Sequence, residues 1–421
     1  MATTSRETLR SEAAKLIGGL AWSGTATGGS TTTLVHTGDG GLLDTGMSTY
    51  FFQGTYLLLT SSTDDGDWRM VREQNNGYAP TTGTITVGQA FTTGGANSTT
   101  YEILRYLDPT EWNECINAAL LKLRYRYLSP ITLITDGDME TSGTSDWTSS
   151  NTTLSKVTSG SFLTGTQCMR TANSGANGYG QSANVRCNGG DSFSAWVDYQ
   201  ATSGTAVLVA YDVTNSAEIT TASGDDAGDN NEGGMISIDF TAPATCRNIG
   251  LRLQGTEATA DINWDNCILM RSGRRRYDVP SWLTNYDMYI STVQRYGNRP
   301  FEYHFIDVSG PVRLEEEQTA VTLYRINLPD GTPRPYFIVG SRNYATLATD
   351  AATTNCQQEW AAYAVASEVL ERYVARTGNV SSTRMESERI RINNRLAYLN
   401  RRLMPHVPMP AYHRMEWVRT N

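Results

Sequence analysis

Apolar residues along this chain recur at period two through most of its length, with helical spacing confined to four stretches. The first stretch opens at Ser5, a residue suited to capping a helix, and places Leu9, Ala13, Leu16 and Ile17 on one face before Gly18-Gly19 ends it. Its stripe is narrow, so it is either an ordinary surface helix or one that docks on a neighbouring copy. From Trp22 to Tyr106 the spacing becomes alternating, and GSTTTLVHTG, STYFFQGTYLLLTSS, DWRMVREQNN, TGTITVGQAF and TTYEILRYL predict strands separated by Gly, Asp and Asn turns. Leu107 to Leu128 returns to helical spacing. Asp108 caps it, Pro109 takes the first position, and Trp112, Ile116, Ala119, Leu120 and Leu123 form its buried stripe.

Between Leu133 and Met270 the chain is rich in Ser, Thr and Gly. It predicts an opening strand and turn in LITDGDMETSGTSDW, then strands at TLSKVTS, QCMRTAN, GYGQSANVRC, SFSAWVDYQ, AVLVAYDV, GGMISIDFTAP, RNIGLRLQG and INWDNCILM. In SFSAWVDYQ, alternation puts Phe193, Ala195, Val197 and Tyr199 on one face and Trp196 with Asp198 on the other. One of these faces must be core, and Trp196 is expected to be buried. RSGRRRYDVPSW then reads as a solvated linker, or as a contact for the acidic block or for packaged DNA. Strand patterns resume from Leu283 to Val339, with a Pro-Asp-Gly turn at Pro329 to Gly331. Two helices follow, one carrying Trp360, Ala364, Leu370 and Tyr373, the other with Met385, Ile392, Leu396, Leu399 and Leu403 in a heptad-like seam. The seam packs on the Trp360 helix or meets a partner. The three-proline tail reads as an extended arm or a frayed end.

These elements make the fold class mainly β with helices (α+β): a small N-terminal β-barrel or sandwich, an inserted β-unit and a helical C-terminal region. The expected division is 1–130 for the first part of a host, 131–272 for the insert, and 273–421 for the rest of the host. Only 18% of residues are charged and the formal net charge is −9. Residues 129–272 hold 16 Asp and Glu against 6 Lys and Arg, so the insert carries the acidity and the host is nearly neutral. A near-neutral host argues against wrapping nucleic acid, which needs many cationic phosphate contacts.

The six cysteines lack metal-ligand spacing. They are isolated buried thiols, or Cys168–Cys187 and Cys246–Cys267 pairs. The N-terminal residues have no basic, apolar signal-peptide pattern, so synthesis in the cytoplasm is expected, and no run is apolar enough for a membrane helix. No nucleophile elbow, zinc-protease helix or phosphate loop is present, and the chain is expected not to be an enzyme.

Two resemblances add to this reading. GSTTTLV, YFFQGTYLLLTSS, WRMVREQNN, TGTITVGQAF and YEIL resemble a β-module of tailed-bacteriophage virion proteins, and the Pro-Thr-Glu-Trp start of the following helix resembles the first core helix of head-to-tail connection proteins. GDMET…DW, SFSAWVDY, IDFTAPATCRNIGLRLQG and INWDNCILM resemble the jelly-roll carbohydrate-binding modules of the galactose-binding-like superfamily. The first implies a ring-forming structural protein in the neck of a virion, contacting portal and other neck or tail proteins, with DNA only in non-specific passage and no membrane. Lys122, Arg124, Arg126, Arg391, Arg395 and Arg402 are the candidates for partner or DNA-lumen contact; Lys122, Arg124 and Arg126 equally suit the dipole at a helix C-terminus.

The second resemblance implies an outward jelly roll that binds cell-surface glycans through Tyr179, Trp196, Tyr199 and Tyr211, or one that only braces the particle. It also implies a structural calcium ion held by Asp138, Glu140 and Asp265. A tail-tip or receptor-binding protein recognising host carbohydrate is the first alternative, and a glycan-active enzyme the second.

Overall fold

The structure is a computed structural model that describes residues 3–38, 41–61, 65–73, 77–92, 99–158, 164–226, 233–280, 282–283, 289–296, 304–307, 313–318, 322–328, 331–377 and 383–403. Pro329, Asp330 and the tail from 404 lie outside these residues. Two compact units make up the chain, the first joining Met1–Tyr125 to Asn343–His406 and the second running from Arg126 to Arg342. The expected 131–272 insert lies within this wider second unit.

In the first unit, helix α1 (Arg6–Leu16) starts where Ser5 Oγ accepts from Thr8 N at 3.1 Å, and Gly18 leaves it at φ +67°. Helix α2 (Pro109–Lys122) has a capping box: Glu111 N donates to Asp108 Oδ1 at 2.9 Å, while Glu111 Oε2 accepts from Asp108 N. Helices α3 (Gln358–Thr377) and α4 (Thr383–Leu403) complete a core containing Leu9, Trp112, Ile116, Trp360, Ile392 and Leu399. Trp360 Nε1 donates to Asn400 Oδ1 at 2.7 Å, so the heptad-like seam of α4 packs on α3 of its own chain.

Among the described residues, eight short strands, rather than five, form the N-terminal β-region. Leu20–Thr25, Thr100–Leu104, Tyr56–Leu59 and Trp68–Met70 are neighbours in one antiparallel sheet, and Gly28–Ser30, Thr33–Val35, Thr84–Thr86 and Tyr78–Ala79 in another. Phe52, Leu57, Tyr78, Ile85 and Tyr101 fill the core they share.

The most constrained polar group in this unit is Arg10, whose side chain is 0% exposed. Its guanidinium donates to Glu102 Oε2 at 2.7 Å, to both Asp350 oxygens at 2.7 and 3.0 Å, and to Asn113 Oδ1 at 3.0 Å. Burial pushes the Glu102 carboxyl up against the opposing pull of Arg10, whereas Asp350, though burial pushes it up as well, is held below the usual range by Arg10 and Arg6. One side chain thus ties α1 to a strand and to the chain's return at 350.

In the second unit, two sheets face each other. One has Trp147–Ser150, Gly178–Ser182, Asn248–Gly255, Thr205–Asp212 and Ala217–Asp226 in that order, with Val185–Arg186 also pairing on Asn248–Gly255. The other has Thr152–Val157, Cys168–Asn173, Asp261–Arg271, Ser192–Ser203 and Gly233–Thr241. Phe193, Val197, Leu208, Leu251, Leu253 and Trp264 lie in the core between them, giving a jelly-roll-like sandwich. Two strands escaped the sequence pattern, Trp147–Ser150 and the polar Ala217–Asp226. The strand expected at the start of LITDGDMETSGTSDW is instead irregular chain, and the ladder ends at Pro130.

A further sheet, ordered Arg124–Pro130, Tyr336–Asn343, Tyr289–Tyr296 and His304–Asp307, belongs to the same unit. Val293, Phe337 and Val339 from it share a second core with Ile268 and Met270, which point out of the jelly roll. At this seam Arg295 Nη1 donates to Asp198 Oδ1, both side chains being 1% exposed. The jelly roll therefore has one covered outer face.

The six cysteines are all buried and free. Neither pairing considered from sequence is formed; instead Cys187 Sγ lies 3.5 Å from Cys246 Sγ, because Cys187 N bonds to Arg247 O across adjacent strand ends.

Removing one partner of a buried ion pair leaves the others unpaired, so Arg10→Ala is predicted to lower stability by about 3–5 kcal/mol. Arg10→Lys is predicted to recover only part of this, since an ammonium cannot reproduce the guanidinium fork. Urea denaturation measures both; equal stability of Arg10→Ala and the parent chain contradicts the assignment.

Candidate functional site

Strand alternation and register place the sugar-site candidates. In Ser192–Ser203, Phe193, Ala195, Val197 and Tyr199 face the sandwich core, and Tyr199 is 3% exposed with its ring 6.4 Å from that of Trp264. This corrects the expectation that Tyr199 stacks on a sugar. Trp196 points to the opposite face, where it packs on the Val293–Phe337 core. It was expected to be buried but is half-buried, packed between this face and the covering layer rather than inside the sandwich.

Tyr179 and Tyr211 come together instead, on the outer face of the sheet that no further layer covers among the described residues. The Asn248–Gly255 strand runs between theirs, with Gln181 opposite Arg252 and Tyr179 opposite Gln254 on one side, and Val209 opposite Arg252 on the other. Leu251 and Leu253 face the core, so Arg252 and Gln254 face outward. The Arg252 guanidinium carbon sits 4.0 Å from the Tyr179 ring centroid and 3.2 Å from that of Tyr211. Its Nε donates to Gln181 Oε1 at 2.9 Å. Two aromatic faces and an amide thus clamp one planar cation. Around it the half-buried Gln181, Gln254 and Ser150 and the exposed Thr148 and Thr221 supply amides and hydroxyls.

Arg252 was missed in the sequence, where RNIGLRLQG read only as a strand. Alternation in that stretch already put Arg252 and Gln254 on one face; what it lacked was the register that sets Tyr179 and Tyr211 on either side.

The calcium candidates do not converge. Asp138 Oδ2 accepts from Ser129 Oγ at 2.9 Å, whereas Glu140 accepts from Thr166 N, Thr166 Oγ1 and Gln167 N at 2.5–3.0 Å. Asp265 Oδ2 accepts from Thr164 N and Oγ1, and Oδ1 from Asn266 N. Burial, then the charge of Asp198, pushes the Asp265 carboxyl well up. Glu140 and Asp265 fix the 164–167 loop through its amides and hydroxyls, and among the described residues no group of three or more His, Cys, Asp or Glu suits a metal. The donor set does not fit calcium.

The cationic candidates are dispersed in different roles. Lys122 pairs with Glu368, Arg391 bridges Glu388 and Leu16 O, and Arg395 pairs with Glu359. Arg124 and Arg126 were expected on a helix, but α2 ends at Lys122 and they lie on the Arg124–Pro130 strand. The alternating Tyr125, Tyr127 and Ser129 favour an extended chain there over another helical turn. Arg402 is exposed near the end of α4.

No protein-family model and no curated protein matches the sequence. Solved structures match about a third of it. The enzymatically active domain of tailspike protein 4 from bacteriophage CBA120 is 14% identical over 33% of this chain and 21% of that one, with a TM-score of 0.28. A CBM4 carbohydrate-binding module is 8% identical over 33% of this chain and 99% of its own, TM-score 0.27. TmCBM61, solved with β-1,4-galactotriose, is 16% identical over 34% and 99%, TM-score 0.26. The chain thus spans about a fifth of the tailspike domain's length.

Because Asp138, Glu140 and Asp265 are held by protein donors, adding calcium to chelator-treated protein is predicted to leave its melting midpoint unchanged. Differential scanning calorimetry checks this, and a rise of more than about 4 °C, what 1–2 kcal/mol of binding gives in a unit this size, contradicts it.

Proposed function

We propose that the jelly roll binds glycans on the open sheet face, with Arg252 as the central donor and Tyr179 and Tyr211 as its aromatic walls. The observation that carries this reading is the clamped guanidinium: Nε is held by Gln181, and among the described residues the Nη groups have no hydrogen-bond partner. A donor fixed in advance between two rings loses little conformational freedom when it bonds a hydroxyl or a ring substituent. Flanking amides and hydroxyls offer both donors and acceptors, which a polyhydroxylated ligand uses. The function is recognition, not catalysis.

The sequence resemblance of the N-terminal β-module and helix α2 supports placing the chain in a tailed-phage virion. Within the virion two roles compete, a ring-forming neck connector and a tail-tip or receptor-binding protein. The open, aromatic-walled face favours the second, since a connector has no use for a preformed sugar platform.

Tyr211→Ala and Tyr179→Ala are each predicted to weaken glycan binding at least ~5-fold, about 1 kcal/mol, without lowering the melting midpoint comparably. Trp196→Ala is predicted to do the reverse, costing stability through lost packing. A glycan array followed by calorimetry on the best ligand separates the two; binding that survives both tyrosine changes and disappears with Trp196→Ala contradicts this face.

A further inference from the structure

We infer that the glycan taken by this face is anionic, a polysaccharide bearing carboxylate or sulfate groups. This rests on the glycan-binding reading above and adds the chemistry of its ligand. Residues 129–272 contain six cations. Two are neutralised away from the face, Lys156 by Asp136 with Nζ–Oδ2 at 2.6 Å, and Arg170 by Asp261 with Nε–Oδ1 at 2.6 Å. The remaining four are Arg252 on the face and Arg186, Arg247 and Arg271, which line one cleft of about 380 Å³ together with Cys187, Asn188 and Asn248.

The cleft and the tyrosine clamp share one strand. Arg186 pairs opposite Asn248 in the ladder. Asn248, Gly250, Arg252 and Gln254 alternate onto the same side, and at Gly250, between cleft and clamp, the side chains of Gln181 and Val213 lie against the strand. Arg252 lies four rises along the strand from Asn248, roughly 13 Å, a span for a short oligosaccharide.

The charge balance in the cleft is positive. Arg271 Nη2 donates to Asp191 Oδ1 at 2.7 Å, and Asp191 also receives Asn188 N. Arg247 Nη1 donates to the Cys246 carbonyl at 3.0 Å, and neither Arg247 nor the exposed Arg186 has an acidic side chain in ion-pair range among the described residues. The exposed Glu218 lies opposite Tyr211 on the neighbouring strand, level with Gly250, and is the acid next to the clamp. A neutral sugar gives these guanidinium groups no counter-charge, whereas a carboxylate or sulfate accepts their paired N–H groups. Nucleic acid fits less well, because its dense phosphate charge would extend past this one cleft along a module whose net charge as a whole is −10.

The test measures binding of the full chain to polygalacturonate, dextran sulfate, neutral galactan and a short mixed-sequence DNA duplex, by affinity electrophoresis and calorimetry. Arg186→Glu with Arg247→Glu is the variant; both positions are exposed, and its fold is verified by circular dichroism. Tighter binding of polygalacturonate or dextran sulfate than of galactan, reduced at least ~10-fold in the variant and by added salt, supports the inference, and the preferred probe tells carboxylate from sulfate. Galactan bound as tightly as the acidic glycans, and unchanged in the variant, overturns the inference while leaving the glycan-binding face standing. No binding of any glycan by the parent chain overturns both. Stronger binding of the DNA, lost in the variant, overturns the inference in favour of nucleic acid.

Discussion

An ionised carboxylate buried in a β-sheet needs a cation beside it, and Asp198 finds Arg295 on a strand almost a hundred residues further along the chain. That pair fixes the architecture of the second unit. It sits where the Tyr289–Tyr296 strand and its neighbours cover the outward side of Ser192–Ser203, with Ile268, Met270 and Trp196 packed around it. A sandwich has two outer faces; an apolar layer and a buried ion pair cover one, and the other is uncovered among the described residues. Tyr179, Arg252 and Tyr211 are on that other face.

The first unit is closed by the same kind of interaction. Arg10 joins α1 to Glu102 and Asp350, so residues near the start of the chain and residues after the second unit belong to one core. The span from 126 to 342 is thereby an excursion from a host whose own core is complete.

The sequence made much of this legible, because most strands and helices have clean periods. The faces of SFSAWVDYQ follow from alternation alone. Which face is core does not, since that depends on what Arg295 and Val293 bring from elsewhere. Arg252 escaped notice for the same reason: its two flanking rings come from strands some forty and seventy residues away, and only the register unites them. Ala217–Asp226 has too few apolar residues to announce a strand; it is held at the sheet edge by backbone pairing with Thr205–Asp212. Arg124 and Arg126 looked helical because they continue α2 in sequence, but the alternating tyrosines there belong to a sheet. Asp138, Glu140 and Asp265 carried the right atoms for calcium, yet the amides of 164–167 reach Glu140 and Asp265.

The central claim is that one face of the jelly roll, and not the other, meets the ligand. Hydrogen–deuterium exchange of the full chain with and without a bound oligosaccharide addresses it directly. Slower exchange confined to Gly178–Ser182, Thr205–Asp212 and Asn248–Gly255 is the result the account predicts. Protection centred on Ser192–Ser203 and Gly233–Thr241, with those three strands unchanged, would contradict it.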